Sequence, residues 1–562
     1  DTIDGGLGND QLEGGAGADT IDGGGGADVI GAGAGADNVV LRGSETSIDG
    51  GAGADTLTLA ASGGITAVDF SVASGLDQTT GDGVAVANFE NLDAGAVSTN
   101  LTVAGSSGAN TITTGAGADV IDGGGGADAI SSGAGADTVN YWGGETSIDG
   151  GAASDTLVLK ASGGVSAVDF SGPAGTDQTI GDHVAVANFE NLDASVLGAS
   201  QGVAVTGSVG ANTIVTGAGA DVIDGRGGAD AIYANGGADT VTFYGAETVI
   251  DGGAGSDTLV LAAAGGVTAV DFSVSSGADQ TTGDAVAIAN FENIDASAIA
   301  SALTVTGSTS ANAILTGSGA DVVDGKGGAD VINAGAGADT VSYYGVETSI
   351  DGDAGVNTLI LNAVANVNLA SVDQTSGDAT IVSNFQNIDA SALSTGVTIV
   401  GALAANTLIG GSGADTIDGG GGSDVISAGA GADRVAYHGG EVSIDGGAGA
   451  DTLTLAAGGV TSVDFSVASG LDQTGGDSVA VTNFENLDAS VLTTAIAVTG
   501  SASANTILTG SGDDVIDGKA GGDVIAAGDG ADTIASLLTL GALGSGVAYV
   551  LNFQIIRAAG AT

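Results

Sequence analysis

Aspartate recurs at every ninth residue through long stretches of this chain, each time at the end of a glycine-rich turn. In DTIDGGGGADVIGAGAGAD it stands at positions 19, 28 and 37. An aliphatic residue nearly always follows two positions later, so the unit reads G-G-x-G-x-D-x-U-x, with U apolar. A glycine turn followed by a short strand directs one side chain inward and its neighbours outward. The pattern therefore predicts nine-residue half-coils, two of which complete one turn of a flat parallel roll.

Stacking of such coils would bring aspartates of neighbouring coils together. Adjacent strands lie ~4.8 Å apart, and two carboxylates at that distance repel each other. A hard cation held between them, and also by backbone carbonyls, would convert the repulsion into a bond. Calcium accepts roughly six to eight oxygen ligands in flexible geometry, whereas magnesium demands a stricter octahedron. The alternative is that these residues only form turns, because Asp tolerates glycine-like geometry.

A second, longer period organises the chain into units of about one hundred residues. The string NFEN occurs at Asn88, Asn188, Asn290 and Asn483, and NFQN occurs at Asn384. The fourth unit is shortened, since it reads NVNLASVDQT where others read AVDFSVASGLDQT. We therefore expect five repeat units and a terminal half-unit, with bounds at residues 1–98, 99–200, 201–302, 303–396, 397–495 and 496–562.

The nonapeptide resembles the calcium-binding repeat of the repeats-in-toxin (RTX) family, which folds as a parallel β-roll. The resemblance covers about half of each unit. It implies Ca²⁺ between the glycine turns of successive coils, with these candidate ligands: Asp10, Asp19, Asp28, Asp37, Asp119, Asp128, Asp137, Asp221, Asp230, Asp239, Asp321, Asp330, Asp339, Asp415, Asp424, Asp433, Asp514, Asp523 and Asp532. The fold class we expect is all-β, an elongated parallel β-roll or β-helix solenoid.

Three related sets of positions carry different expectations. Array-end residues Asp55, Asp155, Asp257 and Asp451 could have only half a site. Neutral residues start the later arrays, and we expect their amides to bond their own turn or ladder without an ion: Asn110, Asn212, Asn312, Asn406 and Asn505. A further aspartate in IDGG either joins the ion cage or caps a turn: Asp22, Asp49, Asp122, Asp149, Asp224, Asp251, Asp324, Asp351, Asp418, Asp445 and Asp517.

The segments between arrays alternate apolar runs with small polar turns, which indicates strands. We expect the solenoid to continue there in wider coils, with an inward Phe in each NFEN or NFQN. The acidic DQTTGD string, as at Asp77 and Asp82, could form an outer calcium site or a subunit contact, and a surface turn is favoured. Pairs such as Tyr141–Trp142 and Phe243–Tyr244 should have one member outward, in a ladder spaced by the unit length.

Charge restricts the partners. The chain of 562 residues has 68 acidic and 7 basic residues, a net charge of -61, yet a mean hydropathy of +0.35. Nucleic acid and anionic lipid are excluded as general partners, because phosphate binding needs Lys/Arg patches. No apolar run is long enough for membrane insertion. The absence of cysteine excludes disulfides and fits an extracellular, metal-stabilised protein.

The inventory argues against catalysis, and we expect no enzyme and no catalytic residues. His183 and His438 are the only histidines and occupy unrelated positions, and no nucleophile has a placed base. We expect a calcium-stabilised structural protein that self-assembles into a bacterial surface layer or fibre. Two alternatives remain: the rigid stalk of an RTX adhesin, and a non-catalytic part of an extracellular polysaccharide enzyme.

The expected partners are other copies of the chain, joined head to tail or in a lattice, and cell-surface polysaccharide. The resemblance implies an extracellular or cell-surface location and export by a type I system. The tail after Asp532 loses its acidic residues and gains apolar ones, as a cap or docking end for assembly would.

Overall fold

The computed structural model describes residues 1–535, which form 66 short β-strands and no helix. The tail for which we expected a capping or docking role, residues 536–562, lies outside the described residues. Contacts divide the chain into two compact units, Asp1–Thr268 with Val274–Asp295, and Ala269–Ser273 with the chain from Ala296 onward. Within each unit the strands stack in parallel sheets, so the expected all-β parallel solenoid is confirmed.

Strand bounds follow the nine-residue period. The first repeat has strands at Thr2–Asp4, Gln11–Ala16, Thr20–Asp22, Val29–Ala34, Asn38–Leu41, Ser47–Asp49, Thr56–Leu59, Ala67–Asp69, Thr79–Thr80, Ala85–Ala87 and Asn91–Asp93. The second has strands at Thr102–Ala104, Thr111–Thr113, Val120–Asp122, Ala129–Ser131, Thr138–Tyr141, Ser147–Asp149, Thr156–Leu159, Ala167–Asp169, Thr179–Ile180, Ala185–Ala187 and Asn191–Asp193. The later repeats follow the same plan, from Ala204–Thr206 to Thr533–Ala535.

Successive strands of the second array alternate between two sheets of the first unit. Sheet I, with nine strands, contains Thr111–Thr113, Ala129–Ser131 and Ser147–Asp149. Sheet II, with eleven strands, contains Val120–Asp122 and Thr138–Tyr141. Each strand pairs in parallel with the strand one coil later, so that Ile121 lies beside Val139. Two nonapeptides thus make one coil, as the period predicted.

The core consists mainly of aliphatic side chains, one from a typical three-residue strand. Ile121, Val139 and Leu157 are fully buried, whereas their neighbour Val120 is 46% exposed. In the wider coils between arrays the predicted inward phenylalanines are confirmed, because Phe89, Phe189, Phe291, Phe385 and Phe484 are all at most 2% exposed. The asparagine that precedes each phenylalanine takes a left-handed conformation, with φ near 60° at Asn88.

Glycine is required where neighbouring turns approach each other. A Cβ on Gly26 would lie 1.5 Å from the carbonyl oxygen of Gly8, and Gly26 has a φ of 145°. The turns of successive coils therefore touch through their backbones, which leaves no room for a side chain.

A short antiparallel hairpin is inserted in the wider coils, and its side of the roll changes from one repeat to the next. In the first repeat, Ala67–Asp69 pairs with Thr79–Thr80 and joins sheet II. In the second, Ala167–Asp169 pairs with Thr179–Ile180 and joins a different sheet, on the side opposite sheet II. The reason is that each repeat contributes an odd number of half-coils, so equivalent strands exchange sides.

This exchange corrects one expectation. One member of each aromatic pair does point outward, since Tyr141 is fully buried and Trp142 is 44% exposed. The ladder spaced by the unit length is wrong, however. Within the first unit, Thr138–Tyr141 lies in sheet II and Thr240–Phe243 lies in a sheet on the other side.

We predict that Ile121→Ala will destabilise its coils by about 2–5 kcal/mol, because it leaves a cavity among fully buried side chains. The adjacent Val120→Ala is the matched control and should change stability by less than about 0.5 kcal/mol. Urea unfolding of calcium-saturated protein, followed by the fluorescence of Trp142, the single tryptophan, reports on these same coils. Equal midpoints for the two variants would contradict the assignment of inward and outward faces.

Candidate metal centres

The nonapeptide aspartates form ladders of hydrogen bonds along the stack. In each ladder, Oδ1 of an aspartate accepts the backbone N–H of the residue one coil earlier. Asp19 N donates to Asp37 Oδ1 at 2.8 Å, and Asp119 N donates to Asp137 Oδ1 at 2.7 Å. Asp221 N donates to Asp239 Oδ1 at 2.7 Å in the third array. One carboxylate oxygen of each residue is thus committed to holding adjacent coils together.

The other carboxylate oxygen is buried and has no hydrogen-bond partner. This holds for Oδ2 of Asp10, Asp19, Asp28, Asp37, Asp119, Asp128, Asp137, Asp221, Asp230, Asp239, Asp321, Asp330, Asp339, Asp424, Asp433 and Asp514, and of the array-end residues Asp55, Asp155, Asp257 and Asp451. A buried acceptor without a donor is costly, and more so when it is charged. Buried polar atoms in native proteins nearly always have a hydrogen-bond partner, so the repeated lack of one at Oδ2 indicates a bound group.

The surroundings of Oδ2 fit a hard cation. A Cβ on Gly23 would lie 2.6 Å from Asp28 Oδ2, and one on Gly5 would lie 2.7 Å from the carbonyl oxygen of Gly23. The oxygen therefore faces a cradle beneath the glycine turn that is lined by backbone carbonyls. Among residues 1–535 no three Asp, Glu, His or Cys side chains converge as a metal-binding group. Carbonyls must supply much of any coordination, as calcium tolerates.

Three candidate ligands depart from this arrangement. Oδ2 of Asp415 accepts the N–H of Gly411 at 2.7 Å. Asp523 and Asp532, near the end of the described chain, are only half-buried. Their Oδ1 atoms nonetheless continue the ladder, accepting Asn505 N and Asp514 N at 3.0 Å each.

The aspartates of IDGG act as turn caps. Asp22 Oδ1 accepts the N–H of Gly24 at 2.9 Å, and Asp122 Oδ1 accepts that of Gly124 at 2.8 Å. The Arg42 guanidinium also binds Asp22 and lowers the pKa of its carboxyl. Of the two interpretations that the sequence left open, these contacts favour the cap.

The amides that start the later arrays bond as expected. Asn110 Oδ1 accepts Ser106 N at 2.8 Å from its own turn, and Asn110 Nδ2 donates to the carbonyl of Glu90. Asn406 repeats this geometry, with Ala402 N at 2.8 Å and Gln386 O at 2.5 Å. The bonds to turn and ladder are thereby confirmed.

Burial strongly disfavours the ionised form of the array-end aspartates. Desolvation is the largest cause, and it raises the pKa from 3.8 to about 6 at Asp55 and Asp451, and to about 7 at Asp155 and Asp257. Neighbouring carboxylates raise it further. Without a counter-ion these groups therefore oppose the fold near neutral pH.

Two recurrent buried residues carry contacts that the sequence interpretation missed. Glu145 accepts the N–H groups of Trp142 and Gly143 at 2.8 Å each, closing the turn where Thr146 replaces the ladder aspartate. Gln178 exchanges two hydrogen bonds of 2.9 Å with the backbone of Phe189. The sequence could have identified both residues, because the strings GxET and DQT recur at fixed places in the units.

The acidic DQTTGD segment holds its own turn. Asp77 Oδ1 accepts Thr79 N at 3.2 Å and Val86 N at 3.1 Å, and Thr79 Oγ1 lies 3.3 Å from Asp82 Oδ2. These contacts agree with a surface turn.

These features define a parallel β-solenoid whose glycine turns are built for cations. The family model "RTX calcium-binding nonapeptide repeat (4 copies)" matches residues 1–39, 47–61, 104–139, 206–241, 249–263, 306–342, 400–435, 439–459 and 499–534. The chain therefore belongs to the RTX family of β-roll proteins, and its cofactor is Ca²⁺. No curated protein matches the chain. Within residues 1–535 there is no helix able to cross a membrane.

Removal of calcium should unfold the arrays. Without cations the buried Oδ2 atoms have no compensating partner. The free energy of ion binding is also free energy of folding. Circular dichroism should show a largely unordered chain in excess chelator and a β spectrum after addition of millimolar Ca²⁺. A β spectrum that persists in chelator would contradict the role given to the ion.

Acid should partly replace calcium. A carboxyl whose pKa is raised in the folded state favours folding when it is protonated. Its contribution to stability is complete below the pKa of the unfolded chain and is lost as pH rises through the folded pKa of about 6 to 7. Calcium-stripped protein should therefore have more β structure at about pH 5 than at about pH 8. Calcium-saturated protein is the control and should change little. More structure at the higher pH would overturn this.

Proposed function

We propose that the protein is a calcium-stabilised structural component of a bacterial cell surface that self-assembles into a layer or fibre. RTX repeats indicate a calcium-binding, extracellular structural or adhesin-like protein. The observation that carries the proposal further is the equivalence of the repeats. The Gln78–Phe89 bond of 2.9 Å recurs at 2.9 Å in Gln178–Phe189, Gln280–Phe291, Gln374–Phe385 and Gln473–Phe484.

Repetition of this kind favours a structural role over catalysis. A catalytic centre usually occurs once in a chain, whereas the aspartate ladders and the Gln–Phe hydrogen bonds described above recur from repeat to repeat. The two histidines fit the same conclusion, because His183 is exposed and His438 Nε2 lies 2.7 Å from the turn cap Asp418. We therefore propose a protein without enzymatic activity.

Two features of the chain bear on contacts between copies: exposed aliphatic side chains and a large negative charge that calcium reduces. Outward-facing aliphatic side chains recur at the first position of equivalent strands, since Val120, Val222 and Val322 are 46%, 56% and 46% exposed. The net charge of -61 would drive copies apart in the absence of cations. Calcium that reduces this charge would let the apolar positions approach one another. Export by a type I system belongs to the same proposal.

Electron microscopy of the purified chain tests the proposal. We expect ordered layers or fibres in millimolar calcium, and separate molecules in chelator or with magnesium as the matched control. Molecules that fold in calcium yet sediment as monomers at every concentration would reject self-assembly and favour the adhesin stalk.

Deletion of residues 536–562 is the second arm of this test. The segment contains apolar residues such as Leu537, Leu538 and Leu540 and no acidic residue. If it joins copies, the truncated chain should keep its calcium-induced β spectrum and lose its polymers. Unchanged polymers would show that the joint lies elsewhere.

A further inference from the structure

In each of the first five arrays, one of the two aspartate ladders ends against a residue of the NFEN or NFQN segment. Asp55 Oδ1 accepts Asp37 N at 2.8 Å as in any other coil. Asp55 N in turn donates to Glu90 Oε2 at 2.9 Å, so Glu90 takes the place of the next ladder residue. The same 2.9 Å bond joins Asp155 to Glu190, Asp257 to Glu292 and Asp451 to Glu485.

The fourth repeat keeps the same hydrogen bonds to the backbone, but its two side chains are uncharged. Asn357 replaces the aspartate and Gln386 replaces the glutamate, which gives NFQN in place of NFEN. Asp339 N donates to Asn357 Oδ1 at 3.0 Å, and Asn357 N donates to Gln386 Oε1 at 2.7 Å. Both acids of the pair have thus been exchanged for amides in the same repeat, and the backbone bonds are kept.

The amide hydrogens fill the cradle under the glycine turn of that repeat. Asn357 Nδ2 donates to the carbonyl of Gly352 at 2.6 Å and to that of Asn384 at 3.2 Å. Gln386 Nε2 also donates to Asn384 O, at 3.2 Å. The carbonyls are thereby satisfied by the chain itself.

In the other four repeats an oxygen stands where Asn357 has its Nδ2. Asp55 is fully buried and its Oδ2 has no hydrogen-bond partner. A Cβ on Gly50 would lie 2.3 Å from the carbonyl oxygen of Asn88 and 3.1 Å from Asp55 Cβ, so the cradle is the same one. Carboxylate and carbonyl oxygens face each other there with no hydrogen between them, an arrangement that a hard cation stabilises.

We propose that a Ca²⁺ ion closes each of four ladders, held by Asp55 with Glu90, Asp155 with Glu190, Asp257 with Glu292, and Asp451 with Glu485. The carbonyl of the NFEN asparagine contributes a further ligand. The fourth repeat binds no ion there, because the amides of Asn357 and Gln386 replace it. The array ends are therefore complete sites, whose second half comes from a segment outside the nonapeptides. This assignment does not depend on whether the protein assembles.

Counting calcium in the full-length chain tests the assignment. One variant carries Asp→Asn and Glu→Gln substitutions at all four pairs. Equilibrium dialysis followed by atomic emission should show that it binds four fewer calcium ions per chain than the unaltered protein. The control carries Asp→Asn at the turn caps Asp69, Asp169, Asp271 and Asp464, whose Oδ1 atoms each accept a serine N–H, and it should keep the full number.

The reverse substitution decides the question if the first variant fails to fold. Asn357→Asp with Gln386→Glu should create a site and raise the count by one ion per chain. An unchanged count in this variant, or in a folded form of the first, would overturn the proposal. Failure of the chain to form layers or fibres would leave these counts, and the inference, unaffected.

Discussion

The structure depends on a carboxylate oxygen that is buried beneath a glycine turn without a hydrogen-bond donor. The aspartate that carries it links neighbouring coils through its other oxygen, so it cannot leave the stack without breaking the ladder. Its burial is favourable only when a cation supplies the missing partner. The same side chain therefore provides the register of the solenoid and its dependence on calcium.

Local features of the sequence determine most of the fold because the solenoid is built from local rules. A period of nine fixes the coil, glycine marks the turns, and one aliphatic residue per strand marks the core, as at Ile121. The sides on which equivalent strands lie were harder to predict. The side on which a strand lies depends on the number of half-coils in a whole repeat. That number cannot be counted from the nine-residue period alone, because the hairpin that begins with Ala167–Asp169 interrupts the period.

The metal centres, like the fold, were predictable from the sequence only in part. The aspartate positions follow from the spacing, but the roles of Glu90 and Glu145 depend on contacts with residues of neighbouring coils or of their own turn. A comparison of the repeats would have identified the role of Glu90, because the only NFQN in the sequence occurs in the unit where Asn357 replaces the array-end aspartate. The two substituted residues are 29 positions apart in the sequence and are in contact, since Asn357 N donates to Gln386 Oε1.

Alternating the inserted hairpin between two sides has a mechanical consequence within the first unit. Each hairpin adds strands to one side of the roll, and hydrogen bonds from Gln78 N to Val86 O and from Asp69 N to Gln78 O keep that side continuous. Placing the hairpin at Ala67–Asp69 on one side and the hairpin at Ala167–Asp169 on the other balances the insertion over two repeats. An odd number of half-coils per repeat therefore distributes the insertions of similar sequence units over both sides of the roll within the first unit.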